Sequence, residues 1–220
     1  MSGHSRDRRR GRCAASHRVD RVCLAHKLRK SFIATLLLAA CAPAADAPPV
    51  AAFWNELRIL CGRTFEGRAV EVTALDSAVL GQRLVLSAWQ CWAEELRFAF
   101  QVGDDHSRVW LIRAGNDGLS LIHDNRLADG AAAEFTNYGG PAIAGGTATR
   151  QDFTPDTETR IRIPSSAGAV WTLEIVPRER FTYAFTAAGG GRFRVDFDLT
   201  RAVERPPSPW GWTRRDRPPR

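Results

Sequence analysis

The chain is nearly without lysine: Lys27 and Lys30 are its only two, so every fixed positive charge after residue 30 is an arginine. A membrane-spanning helix needs roughly 20 apolar residues, and no run approaches that length; the apolar stretch from Ser31 to Ala40 is about half of it. CxxC, HxH and HExxH patterns are absent, which removes sequence support for a zinc, redox or metallohydrolase site, and no metal or other cofactor is expected. No glycine-rich loop leads into a Lys and a helix, so a phosphate cradle is excluded. Gly118-Leu119-Ser120-Leu121-Ile122 begins like a nucleophile elbow but lacks its closing glycine.

A basic folded face is missing too. The formal net charge of +7 resides in the ends of the chain, because residues 1 to 40 hold ten Lys or Arg against two Asp and residues 201 to 220 hold six Arg against two acids. The part between them is net acidic. Displacing counterions from phosphates needs a basic surface on the folded domain, so no nucleic-acid partner is expected.

What the sequence does have is an address. Lys27-Leu28-Arg29-Lys30, the short apolar run and Leu38-Ala39-Ala40-Cys41 resemble a bacterial lipoprotein signal, with Cys41 as the lipidated first residue of the mature protein. The competing reading is a short buried helix. Residues 1–40 are then leader and signal, and 41–50, rich in Ala and Pro, a tether to the membrane. The Arg-rich stretch before Lys27 is long for a signal, and Met1 is the only methionine. A start at Val19, Val22 or Leu24 is expected, with an extended basic leader as the alternative. Ala42 follows the lipid site instead of Asp, which by resemblance to the enteric sorting rule points to an outer-membrane lipoprotein facing the periplasm over inner-membrane retention.

Cutting at Cys41 discards Cys13 and Cys23 and leaves Cys61 and Cys91 as an even pair in an oxidising compartment. A disulfide between them would contribute roughly 3 kcal/mol; two separately buried thiols are the alternative.

Phe53, Leu57 and Leu60 recur at helical spacing, which predicts one short amphipathic helix over Ala51 to Leu60. After Gly62 the period becomes alternating. Strands are expected at Arg68–Val72, Arg83–Cys91, Glu95–Val102, Arg108–Arg113, Leu119–His123, Arg160–Ile163, Val170–Val176, Phe181–Phe185 and Arg192–Leu199, with a hairpin turn at Gly115-Asn116-Asp117-Gly118. Residues 128 to 148 read as an irregular loop with flexible glycine pairs. In Glu95–Val102, Leu96, Phe98, Phe100 and Val102 share one face and Arg97 and Gln101 the other, the pattern of one buried and one wet or polar side. The mainly β domain at 51–200 is therefore expected to be a single antiparallel barrel or sandwich, a lipocalin-like barrel by preference, preceded by one short helix. Residues 201–220, rich in Pro and Arg, read as a disordered tail in which Trp210 and Trp212 could dock.

Candidate binding residues gather where strands leave the sheet: His123, Asp124, Arg126, Asp129 and His106. A histidine beside a carboxylate can serve as general base, and two histidines with an Asp can hold a metal. Turn formation and surface pairing explain the same residues, and that reading is preferred because no ligand spacing is present. Trp89, Phe98, Phe100, Trp110, Trp171, Phe193 and Phe197 are expected in the core; in a barrel too wide to fill they would line an apolar pocket.

Leu60-Cys61-Gly62-Arg63-Thr64-Phe65-Glu66-Gly67, His106-Ser107-Arg108-Val109-Trp110, Gly118-Leu119 through His123-Asp124, Tyr138-Gly139-Gly140 and Phe193-Arg194-Val195-Asp196-Phe197-Asp198-Leu199 resemble a family of uncharacterised secreted or lipid-anchored proteins of Gram-negative bacteria. The resemblance spans most of residues 60 to 200. It implies envelope location and β-rich character and supplies no catalytic residue; in that family a second histidine stands where this chain has Asn125. Three functions are compatible with the residues: a non-enzymatic envelope protein binding an apolar or envelope-derived small molecule, a hydrolase or metal-dependent enzyme using His123 to Asp129, and a structural or assembly factor whose protein partner the sequence does not name.

Overall fold

The computed structural model describes residues 48–73 and 77–213. The leader, the lipidation site Cys41 and most of the tether fall outside the described residues. Helix α1 (Pro49–Ile59) opens them, with Pro at its first turn and Phe53, Trp54 and Leu57 on its buried face. Ten strands follow: β1 (Thr64–Val72), β2 (Leu84–Cys91), β3 (Glu95–Val102), β4 (Asp105–Gly115), β5 (Gly118–Asn125), β6 (Tyr138–Pro141), β7 (Arg150–Phe153), β8 (Val170–Val176), β9 (Arg180–Thr186) and β10 (Arg192–Ala202).

All ten form one antiparallel sheet in the order β6-β5-β4-β3-β2-β1-β10-β9-β8-β7. Apart from the β1–β10 pair, every pairing joins neighbours in sequence, the up-and-down arrangement of a meander. The two edges, β6 and β7, approach one another: Ala142 bridges Phe153, Ile143 N donates to Asp152 O at 2.7 Å and Thr154 N to Pro141 O at 3.1 Å. The sheet is thus a nearly closed barrel, which satisfies the backbone groups that open edges would leave to solvent.

The inward faces carry the expected alternation. Leu96, Phe98 and Phe100 of β3 meet Phe181, Phe193, Val195 and Phe197 from the opposite wall in one core cluster. Within it Phe98 stacks on Phe181 at 5.8 Å and Phe100 meets Phe197 edge-on at 5.8 Å. Each fully buried Phe contributes about 1.5–3 kcal/mol. β1 begins directly after α1, and Phe53, Trp54 and Leu57 of the helix join the core cluster at the barrel end from which β1 departs. At that same end Cys61 and Cys91 are joined as a disulfide, with Cα atoms 6.2 Å apart. Serine at both positions is expected to lower the unfolding free energy by about 3 kcal/mol, because the bridge closes a loop of 30 residues in the unfolded chain; urea titration with and without reductant measures it, and an unchanged midpoint would contradict it.

Three expectations change. Arg160–Ile163 is not a strand: α2 (Thr157–Arg162) occupies it, because the Asp156 side chain caps the helix by accepting from Thr159 N at 2.7 Å, and four alternating residues are too few to outweigh a cap. The loop at 128 to 148 contains β6, whose two glycines carry no hydrophobic pattern. Finally, Thr200, Arg201 and Ala202 extend β10, and residues 203 to 213 lie along the barrel wall instead of leaving it as a disordered tail. Gln101 Nε2 donates to Pro207 O at 2.8 Å, Trp210 N to His106 O at 3.1 Å and Gln90 Nε2 to Thr213 O at 2.8 Å. This segment covers the outward face of β3, so Glu95, Arg97 and Gln101 are buried where a wet side was expected.

Candidate ligand cavity

The end of the barrel away from α1 is open and leads into a cavity of about 580 Å³. Two cross-strand rows of aromatic side chains build its walls. Trp110, His123 and Tyr138 are paired across β4, β5 and β6. Trp171, Phe185 and Phe193 are paired across β8, β9 and β10. Alternation points each row inward, since paired residues of an antiparallel sheet share a face.

Tyr183, two residues before Phe185 and on the same face, joins the rows. Its ring stacks on Trp110 at 4.1 Å, and its hydroxyl lies 2.9 Å from His123 Nε2. His123 Nδ1 lies 3.2 Å from the Tyr138 carbonyl, which can only accept, so Nδ1 carries the hydrogen and Nε2 accepts from the Tyr183 hydroxyl. Burial holds the imidazole neutral: its pKa falls to about 4, with the Tyr138 carbonyl opposing the shift only in part. With both nitrogens engaged, His123 has no spare lone pair to act as general base. The two tyrosines of the chain are thus both in the cavity wall, each tied to the same histidine.

The mouth is more polar. Arg108 and Asn125 are cross-strand partners at its edge. Asp105 accepts from Arg108 Nη1 at 2.5 Å; Asn125 Nδ2 donates to Phe135 O at 3.0 Å. Ile163, which follows α2, and Ser165 and Ser166 of the 3₁₀ turn Pro164–Ser166 also line the cavity. Thr159 of α2 exchanges two hydrogen bonds of 2.9 Å with the Gly139 backbone. Ser166 is only 8% exposed, and its hydroxyl has no hydrogen-bond partner among the described residues. A buried, unsatisfied hydroxyl costs about 1–3 kcal/mol.

Of His106, His123, Asp124, Arg126 and Asp129, only His123 lines this cavity. Asp124 points to the outer face, where Arg126 Nε donates to it at 2.8 Å and Trp212 Nε1 at 3.2 Å. His106 lies under the carboxy-terminal segment, its ring 6.3 Å from that of Trp210. Asp129 accepts from Ala131 N at 2.9 Å, a turn-forming role. The His123 to Asp129 segment is therefore divided by the β pleat, and no group of three His, Cys, Asp or Glu is placed to hold a metal among the described residues. Phe100, Trp110, Trp171 and Phe193, expected in the core, belong to the core cluster and also line the cavity. Sequence reasoning passed over Arg108, Tyr183 and Ser166; for Tyr183 the available signal was a phenol within an inward-facing strand, where a buried hydroxyl needs a partner.

Comparison with family models, with curated proteins and with solved structures yields no match for this chain.

Proposed function

We propose that the protein is a lipid-anchored cell-envelope protein that binds an apolar or envelope-derived small molecule inside its barrel, without catalysing a reaction on it. The observation that carries this reading is the cavity of about 580 Å³, walled largely by aromatic rings. Concave, mostly apolar sites with a few placed polar groups are the usual form of small-molecule binding sites, and 300–1,000 Å³ is their ordinary range. The lipobox Leu38-Ala39-Ala40-Cys41 supports the anchor, and Ala42 supports outer-membrane placement on the periplasmic side. Palmitate labelling of growing cells tests the anchor: label is expected on the native chain, and label persisting in Cys41→Ser contradicts it.

Binding is tested with the neutral fluorophore N-phenyl-1-naphthylamine. One saturable site per protein is expected, with affinity lowered at least tenfold by Ser166→Trp, since an indole there occupies the cavity. The variant's circular dichroism and melting temperature establish that it folds. No saturable signal from the native protein, or identical binding by a folded Ser166→Trp, contradicts the reading.

A further inference from the structure

We infer that the cavity selects a planar, unsaturated ligand carrying one anionic group, with the flat part between the aromatic rows and the anion at Arg108 in the mouth; this rests on the binding reading above. The wall is unusual in what it omits. Its aliphatic side chains are Ile163 and Ala187, and every other apolar lining residue is aromatic. A flexible saturated chain is best enclosed by branched aliphatic side chains, whereas rings offer π faces against which a planar molecule gains offset-stacked contact. Around Trp171 the planes of His123, Tyr138 and Phe185 are tilted by 44°, 43° and 33°, while His123 stacks on Tyr138 at 4.7 Å and Trp110 on Tyr183 at 4.1 Å.

Charge fixes the other half. Aromatic enclosures also attract cations, but no Asp or Glu lines this one and the lining residue with a formal charge is Arg108. Asp105, beside the mouth, takes Nη1 of that guanidinium; among the described residues its remaining N–H groups make no hydrogen bond. The fork is held in place by one carboxylate and has donors left for a second, the bidentate geometry that favours Arg over Lys. Asn125 at the mouth can add a hydrogen bond to a polar substituent on the same ligand.

Fluorescence titration of the full chain with pyrene-1-carboxylate, its methyl ester, 1-pyrenemethylamine and palmitate separates the elements of this inference. Pyrene-1-carboxylate is expected to bind at least tenfold more tightly than each of the other three, a charge-assisted hydrogen bond being worth about that factor or more. Arg108→Gln is expected to erase its advantage over the ester and leave ester binding unchanged, while Arg108→Lys retains part of it; matching melting temperatures exclude misfolding, and if Arg108→Gln does not fold, loss of the acid's advantage at high ionic strength replaces it. Palmitate binding as tightly as pyrene-1-carboxylate overturns the planar ligand. Equal binding of acid and ester, or an unchanged preference in folded Arg108→Gln, overturns the anion. Failure of all four where N-phenyl-1-naphthylamine still binds overturns this inference alone, and failure of that fluorophore as well overturns the binding reading beneath it.

Discussion

Replacing Glu95 by alanine is expected to lower the unfolding free energy by about 3–5 kcal/mol, the usual cost of removing one member of a buried ion pair. Glu95 and Arg97 are 3% and 2% exposed. Glu95 Oε1 accepts from Arg97 Nε at 2.6 Å and Oε2 from Arg113 Nε at 2.8 Å. Arg97 Nη1 also donates to Gln90 Oε1 at 3.0 Å, and its guanidinium lies 4.6 Å from the Trp92 ring centroid and 4.4 Å from that of Trp212. Without Glu95 the arginine keeps Gln90 and its aromatic neighbours and loses the carboxylate bound to its Nε. By contrast Glu66→Ala, which removes an exposed partner of Arg83, is expected to cost about 0–1 kcal/mol. Urea unfolding of the two variants distinguishes them, and a Glu95→Ala loss below about 1 kcal/mol would show that the ion pair is not sealed as described. Since Trp212 belongs to the carboxy-terminal segment, removing residues 203 to 220 should expose this group and reduce the difference between the variants.

Acidification from pH 7 to pH 5 is expected to withdraw about 2 kcal/mol of stability through His123 alone. In the folded barrel its pKa is about 4, against 6.5 for an unperturbed histidine, because burial disfavours the imidazolium. The unfolded chain therefore takes up a proton as pH falls through 6.5 and the folded chain does not until about pH 4. The contribution is full above pH 6.5, declines by about 1.4 kcal/mol per pH unit in between, and is flat below about pH 4. Asp105 and Asp196 are held below the usual carboxylate range: burial pushes them up, but hydrogen bonds and arginines outweigh it, from Ser107 and Arg108 for the first and from Arg194 and Thr182 for the second. Their contributions are lost at lower pH, so the interval from 7 to 5 isolates the histidine. His123→Gln is expected to be less stable at pH 7 and to lose the slope; a variant retaining the native slope would place the proton uptake elsewhere.

The barrel was legible because its strands alternate strongly. Glu95–Val102 and Val170–Val176 stand at the bounds that their patterns give, and Gly118, at φ 105°, ends the Asn116-Asp117 turn that joins β4 to β5. The closing seam was not legible. Gly139 and Gly140 read as flexible points, whereas a Cβ at Gly140 would collide with the Thr154 carbonyl and lie 2.5 Å from Asp156 N, so glycine there permits the two barrel edges to meet. Contacts from Gly140 to Thr154 and Asp156, well over ten residues along the chain, leave no local pattern. The same holds for the cavity: strand alternation places Trp110, His123 and Trp171 inside, but which inward residues pack and which border empty space depends on the barrel's girth. His123 and Asp124, adjacent in sequence and chemically suited to act together, face opposite sides by the period of the strand. The buried polar face of β3 was missed because its cover comes from a proline-rich segment with the composition of a disordered tail.

The most direct test of the binding barrel is native mass spectrometry of the protein isolated from bacterial envelopes without denaturation. A bound small molecule is expected at one per chain, released on unfolding and absent from folded Ser166→Trp. A chain that carries no ligand from the envelope, and that takes up none when incubated with an envelope lipid extract, would contradict it.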